Sequence, residues 1–132
     1  MSLKSLMDRM SDTLSVPAAE RDGEWAHENC RLSRFIHECV WERRPDPKVV
    51  SEDVIPLLRK ILRAMEAVPH KGRYGKDIPK FVRNVRRRIT NLRRYVAGKP
   101  SAFAPSSMLE RAGASDLPPE ELLEKMVAER SG

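Results

Sequence analysis

The apolar residues of this chain fall into four runs with helical spacing, separated by polar and proline-containing stretches. Leu3, Leu6, Met7, Met10 and Leu14 recur three and four residues apart, which predicts a helix over 2–14 with Ser2 placed to cap its first turn. Val16 and Pro17 interrupt that pattern. A second helix is expected over 19–43, with its core from Glu24 onward. Trp25, Leu32, Phe35, Ile36, Cys39 and Val40 share one face, and His27, Arg31, Arg34 and Glu38 lie on the other. Pro45 ends it, because the residue before a proline is pushed out of the α region.

The third run predicts a helix over 51–68, capped by Ser51, with Glu52 and Asp53 suited to its positive end and Pro56 near the first turn. Val54, Ile55, Leu57, Leu58, Ile61, Leu62, Met65 and Val68 cover about half of its circumference at about 100° per residue, so it is expected to be the central helix. Residues 69–76 hold two glycines and a proline and read as a loop. The fourth run predicts a helix over 77–97, with Asp77 as N-cap, Pro79 in the first turn and Gly98 as C-cap before Pro100. Its apolar stripe of Ile78, Phe81, Val82, Val85, Ile89, Leu92 and Val96 is narrow.

These runs predict an all-α helical bundle of about four main helices, occupying residues 1–98. Residues 99–118, rich in Ser, Ala, Pro and Gly, read as a flexible connector. A short acidic helix is expected over 119–130, with Leu122, Leu123 and Met126 as anchors for a protein partner or for core packing, or as part of a flap over the basic face. A chain of 132 residues is long enough for one domain with a real core, and the low aromatic content favours packed helices over a β-sandwich.

Charge changes the picture more than composition does. The formal net charge is +6, but residues 71–99 hold eleven basic side chains and one acidic, and no Asp or Glu occurs between Asp77 and Glu110. On helix 77–97 the arc facing away from the apolar stripe carries Lys80, Arg83, Arg87 and Arg94, with Arg86 and Arg93 on one flank and Arg88 on the other. An ordinary solvated helix mixes signs, since acid and base four apart support each other. Arginine predominates, and its planar fork grips phosphate with two hydrogen bonds. The preceding loop adds Lys71, Arg73 and Lys76, and Tyr74 offers a ring on which a base could stack. The expected function is therefore non-enzymatic binding of nucleic acid, RNA or DNA, through its phosphate backbone, alongside other protein subunits.

In class, such a chain is similar to the small helical subunits of CRISPR effector complexes, an analogy of architecture that no motif carries. A dimeric DNA-binding regulator or a phage or plasmid accessory factor is an alternative. The helices 51–68 and 77–97 would then form a helix-turn-helix variant with a long turn. An adaptor binding an acidic protein is another. Arg31 and His37 have the Arg-x5-His spacing that resembles HEPN-type ribonucleases, and that resemblance would make them the cleavage residues of a dimer, although Leu32 stands where the family usually has a polar residue.

Other chemistry is set aside. His27, Cys30 and His37 lie on one side of a helix, but structural zinc sites draw ligands from different elements, so these are expected to be surface histidines and part-buried thiols. Cys30 and Cys39 are nine residues apart, roughly 13 Å along a helix, too far for a disulfide. They read as reduced thiols, which fits a cytoplasmic location. Gly72, Gly75 and Lys76 lack P-loop spacing. No cofactor, metal or small-molecule substrate is expected, and the N-terminus has no secretory signal pattern. No stretch has the length of a membrane span.

Overall fold

A computed structural model describes residues 1–103, and the connector beyond them and the 119–130 segment with Leu122, Leu123 and Met126 lie outside the described residues. Residues 1–100 form one compact all-α unit. Helix α1 is Leu3–Thr13 and α2 is Gly23–Arg43. Helix α3 runs over 47–66 as an α turn Pro47–Val49, a π-helical stretch Val50–Val54 and an α segment Ile55–Glu66. Helix α4 is Ile78–Val96.

The helix ends follow local chemistry. Ser2 caps α1 by accepting from the Ser5 amide at 3.0 Å. Asp22 caps α2 through the amides of Glu24 and Trp25. At its other end Arg44 turns left-handed, φ 52°, with its amide on the Val40 carbonyl, before Pro45. Gly98, φ 74°, ends α4 in a Schellman turn: its amide reaches the Tyr95 carbonyl and the Lys99 amide reaches the Arg94 carbonyl.

Helix α3 begins earlier than its sequence suggests. Asp46, not Ser51, caps it, accepting from the Lys48 amide at 2.9 Å. The helix continues past Pro56 because a wider turn precedes that residue, with the Ile55 amide bonded to the Val50 carbonyl five residues back. A proline there would otherwise crowd the carbonyl four residues earlier, that of Glu52, and the π turn accommodates the ring without ending the helix.

The central helix is α4 rather than α3. It packs against both α2 and α3, which barely touch each other, while α1 rests on α2. Its buried face is broad, with Asn91 and Tyr95 added to the apolar stripe. Leu58, Ile61, Met65, Val85 and Leu92 are fully buried between α3, α4 and their neighbours, at about 1.5–3 kcal/mol per large apolar side chain removed from water.

Helix α2 buries its expected apolar face apart from Phe35, and a wider arc besides. Its buried face includes Asn29, Ser33 and His37, each four residues from the next. Phe35, expected in the core, is 37% exposed with the guanidinium groups of Arg31 and Arg34 over its ring. A helix held from two sides, by α1 and α4, buries a wide arc, and the polar residues in that arc must then be paired. Thr13 donates to Asn29 at 3.0 Å, Asn29 donates to the Trp25 carbonyl at 3.1 Å, and Ser33 donates to the Cys30 carbonyl at 2.7 Å. His37 and Asn91 share a hydrogen bond of 2.8 Å across the α2–α4 contact.

Candidate nucleic-acid interface

Helix α4 carries seven basic side chains and no acid. Its amphipathic pattern decides where they go. With Phe81, Val85, Ile89 and Leu92 turned into the bundle, Lys80, Arg83, Arg86, Arg87 and Arg93 are exposed on the opposite arc. Around the helix, Arg86 and Arg93 lie at one shoulder, Lys80 and Arg87 at the other, and Thr90 and Arg83 on the crown between them. Arg93, expected at the edge of the arc, belongs to it.

The remaining two arginines of α4 are engaged by groups of the fold itself. Arg88 is half-buried and donates to the Cys30 carbonyl at 3.0 Å and to Ser33 Oγ at 2.9 Å, with Cys30 Sγ at 3.5 Å. Both oxygen acceptors are uncharged. Arg94 is also half-buried and donates from Nε to the Pro100 carbonyl at 2.9 Å, which ties it to the end of its own helix. Arg86 is paired with Glu66 of α3, so the arc is not wholly without acids, contrary to the reading of α4 alone. Arg59 and Arg63, exposed on α3, fall on the same face as Glu66 by helical spacing and extend the basic surface onto that helix. In a count of charge along the chain they are offset by the Glu52, Asp53 and Glu66 of α3 itself, which hides them.

The basic loop is set by α2. Its backbone passes so close to Gly23 that a Cβ there would lie 2.2 Å from the Arg73 carbonyl oxygen and 2.5 Å from the Gly75 nitrogen. The Gly23 amide donates to the Lys71 carbonyl at 3.1 Å. Lys71, Arg73 and Lys76 are exposed on this loop. Tyr74 has φ 69°, and its ring stacks on His27 of α2 at 4.0 Å between centroids and 10° between planes. The Arg73 guanidinium lies 5.1 Å from that ring. Tyr74 is therefore a fastener of the loop, with one ring face already covered, rather than an open platform for a base. Asp77 occupies the N-cap position of α4 but its side chain makes no cap bond, since its own backbone is already helical, φ −91° and ψ −5°. The Gly75–Asp77 turn leads into the helix instead.

The other candidate constellations are not brought together. Arg31 is exposed beside Phe35, whereas His37 is 5% exposed and faces Asn91. Of the three residues weighed for zinc, His27 stacks on Tyr74, His37 is buried rather than on the surface, and Cys30 sits beside Arg88. Both cysteines are buried and free. Among the described residues no group of three or more His, Cys, Asp or Glu is placed to hold a metal ion, and no helix is long and apolar enough to cross a membrane. Burial pushes the Tyr95 phenol up from its ordinary value, against the opposing pull of the Arg44 guanidinium. No family model, curated protein or solved structure matches the chain.

Proposed function

We propose that this protein binds the phosphate backbone of nucleic acid through the exposed arc of α4 and the loop before it, as a non-enzymatic subunit of a larger nucleoprotein assembly. The observation that supports this most is the burial pattern of α4. The same helix that organises the core keeps its cations outward, where Lys80, Arg83 and Arg93 have no acid within ion-pair distance among the described residues. Their mutual repulsion is relieved by a polyanion, whose released counterions drive association. Exposed Phe35 and Val49 offer apolar points for protein neighbours.

The test is fluorescence anisotropy with labelled RNA and DNA across a salt series, comparing wild type with Lys80→Glu/Arg83→Glu/Arg93→Glu. Arg94 is left intact because it closes its helix end. Wild type binds with a steep salt dependence. The charge-reversed protein, still folded by circular dichroism, loses about a hundredfold in affinity, and its slope on a DNA duplex flattens by about 0.9 for each phosphate it no longer neutralises. Absence of binding at low salt would reject this reading. The Arg86–Glu66 pair shows that this surface accepts a carboxylate, which favours an acidic protein as the second reading.

A further inference from the structure

The cations of α4 are distributed in a way that bears on the form of the nucleic acid. We infer that the arc takes duplex DNA, with α4 lying in the major groove. This rests on the phosphate-binding reading above and deepens it.

Three observations point the same way. The cations stand on a convex ridge, the outer half of a helix supported on two sides by α2 and α3. Grooves of about 320 and 340 Å³ open elsewhere, against α1, one toward α2 and the other toward α3. A single strand is normally held in a concave channel with rings to stack its bases. The Tyr and Phe rings near this arc are committed: Tyr74 lies on His27, Phe81 is buried, and Tyr95 is buried with its hydroxyl on the Pro45 carbonyl. Among the described Phe, Tyr and Trp rings the most exposed, Phe35, is two residues from Ser33 and therefore on the side of α2 away from α4.

The third observation is the two-shouldered charge. Lys80 and Arg87 lie on one edge of the arc and Arg93 on the other, with Thr90 and Arg83 on the crown. A helix with its side chains is about 10–12 Å across and the major groove of B-DNA about 12 Å wide, so cations on both shoulders meet the phosphates of both strands. The crown then faces the groove floor. A-form RNA has a deep, narrow major groove that does not admit a helix.

The experiment uses the full chain and equal-length probes of duplex DNA, duplex RNA and single-stranded DNA, at one salt concentration. Duplex DNA is expected to bind about tenfold more tightly than either of the others. A second variant separates groove entry from charge. Thr90→Trp adds bulk on the crown and removes no cation, so duplex DNA affinity should fall about fivefold or more, while single-strand affinity holds or rises by stacking. Equal or tighter binding of duplex RNA or single-stranded DNA overturns the groove inference and leaves the phosphate-binding reading standing. So does a Thr90→Trp protein, folded by circular dichroism, that holds duplex DNA as well as wild type. Binding of none of the three overturns both.

Discussion

The basic segment 71–99 has an inward half and an outward half that differ in use although they share a composition. Inward, Arg88 satisfies the Cys30 carbonyl and Ser33 hydroxyl, and the loop backbone rests on Gly23, while Arg94, which projects onto the outer arc, is engaged at its helix end by the Pro100 carbonyl. Outward, Lys80, Arg83 and Arg93 are exposed. An arginine count therefore does not measure a binding site. What matters is which guanidinium groups the fold has already engaged, and a half-buried one with neutral acceptors acts as a strut between helices.

The largest effect separating the two halves is expected at the base of the loop. Gly23→Ala drives a Cβ into the backbone of 73–75, which must move, at a cost of about 3 kcal/mol by the scale of overpacked sites. Denaturant unfolding would read the loss. Nucleic-acid affinity falls with it only to the extent that loop cations contribute. Next comes Arg88→Met, which removes hydrogen bonds from a charged donor and should cost about 2 kcal/mol while changing polyanion affinity little. Arg83→Gln is its mirror image: stability within about 0.5 kcal/mol of wild type, as for an ordinary surface substitution, with a clear loss of affinity. Equal behaviour of Arg88→Met and Arg83→Gln in the two assays would erase the distinction between the halves.

A smaller effect tests the acid that crosses between them. Glu66→Gln removes the carboxylate paired with Arg86, a surface pair worth at most about 1 kcal/mol to stability. Affinity for a DNA duplex should rise about two- to threefold as that guanidinium is released.

Much of the helical architecture is legible in the sequence because three- and four-residue spacing, Ser2, Pro45 and Gly98 each act locally. The full width of the buried face of α2 is not. Its apolar residues mark the buried face apart from Phe35, but contact with α1 and α4 widens that face to Asn29, Ser33 and His37, and such pairing is set by distant residues, Thr13, Arg88 and Asn91. The start of α3 is hidden for a similar reason: a π turn before Pro56 has no simple periodic signature. At the interface, the exposure of Lys80, Arg83, Arg86, Arg87 and Arg93 follows from the helical projection, whereas Arg94, projected onto the same arc, is half-buried and engaged by the Pro100 carbonyl. The roles of Arg88, Tyr74 and Gly23 do not, since each depends on a contact between segments far apart in the chain.

The smallest expected effect concerns the inward half at high pH. Tyr95 is buried at the far end of the α2–α4 contact, edge-on to Trp41 at 5.2 Å, with its hydroxyl donating to the Pro45 carbonyl. Burial raises its pKa above the ordinary value of about 10, so the folded state favours the neutral phenol. For an acid whose pKa is higher folded than unfolded, the unfolded chain loses the proton first as pH rises. The stabilisation is then complete below about pH 10 and is lost on rising through the folded value. Tyr95→Phe should cost about 1 kcal/mol at neutral pH, from the hydrogen bond to Pro45. It should also remove one component of the alkaline decline, so that the wild-type and Tyr95→Phe stability curves converge above about pH 10. Parallel curves through that range would mean that ionised Tyr95 is tolerated in the fold, and that the α2–α4 contact opens to water at this end.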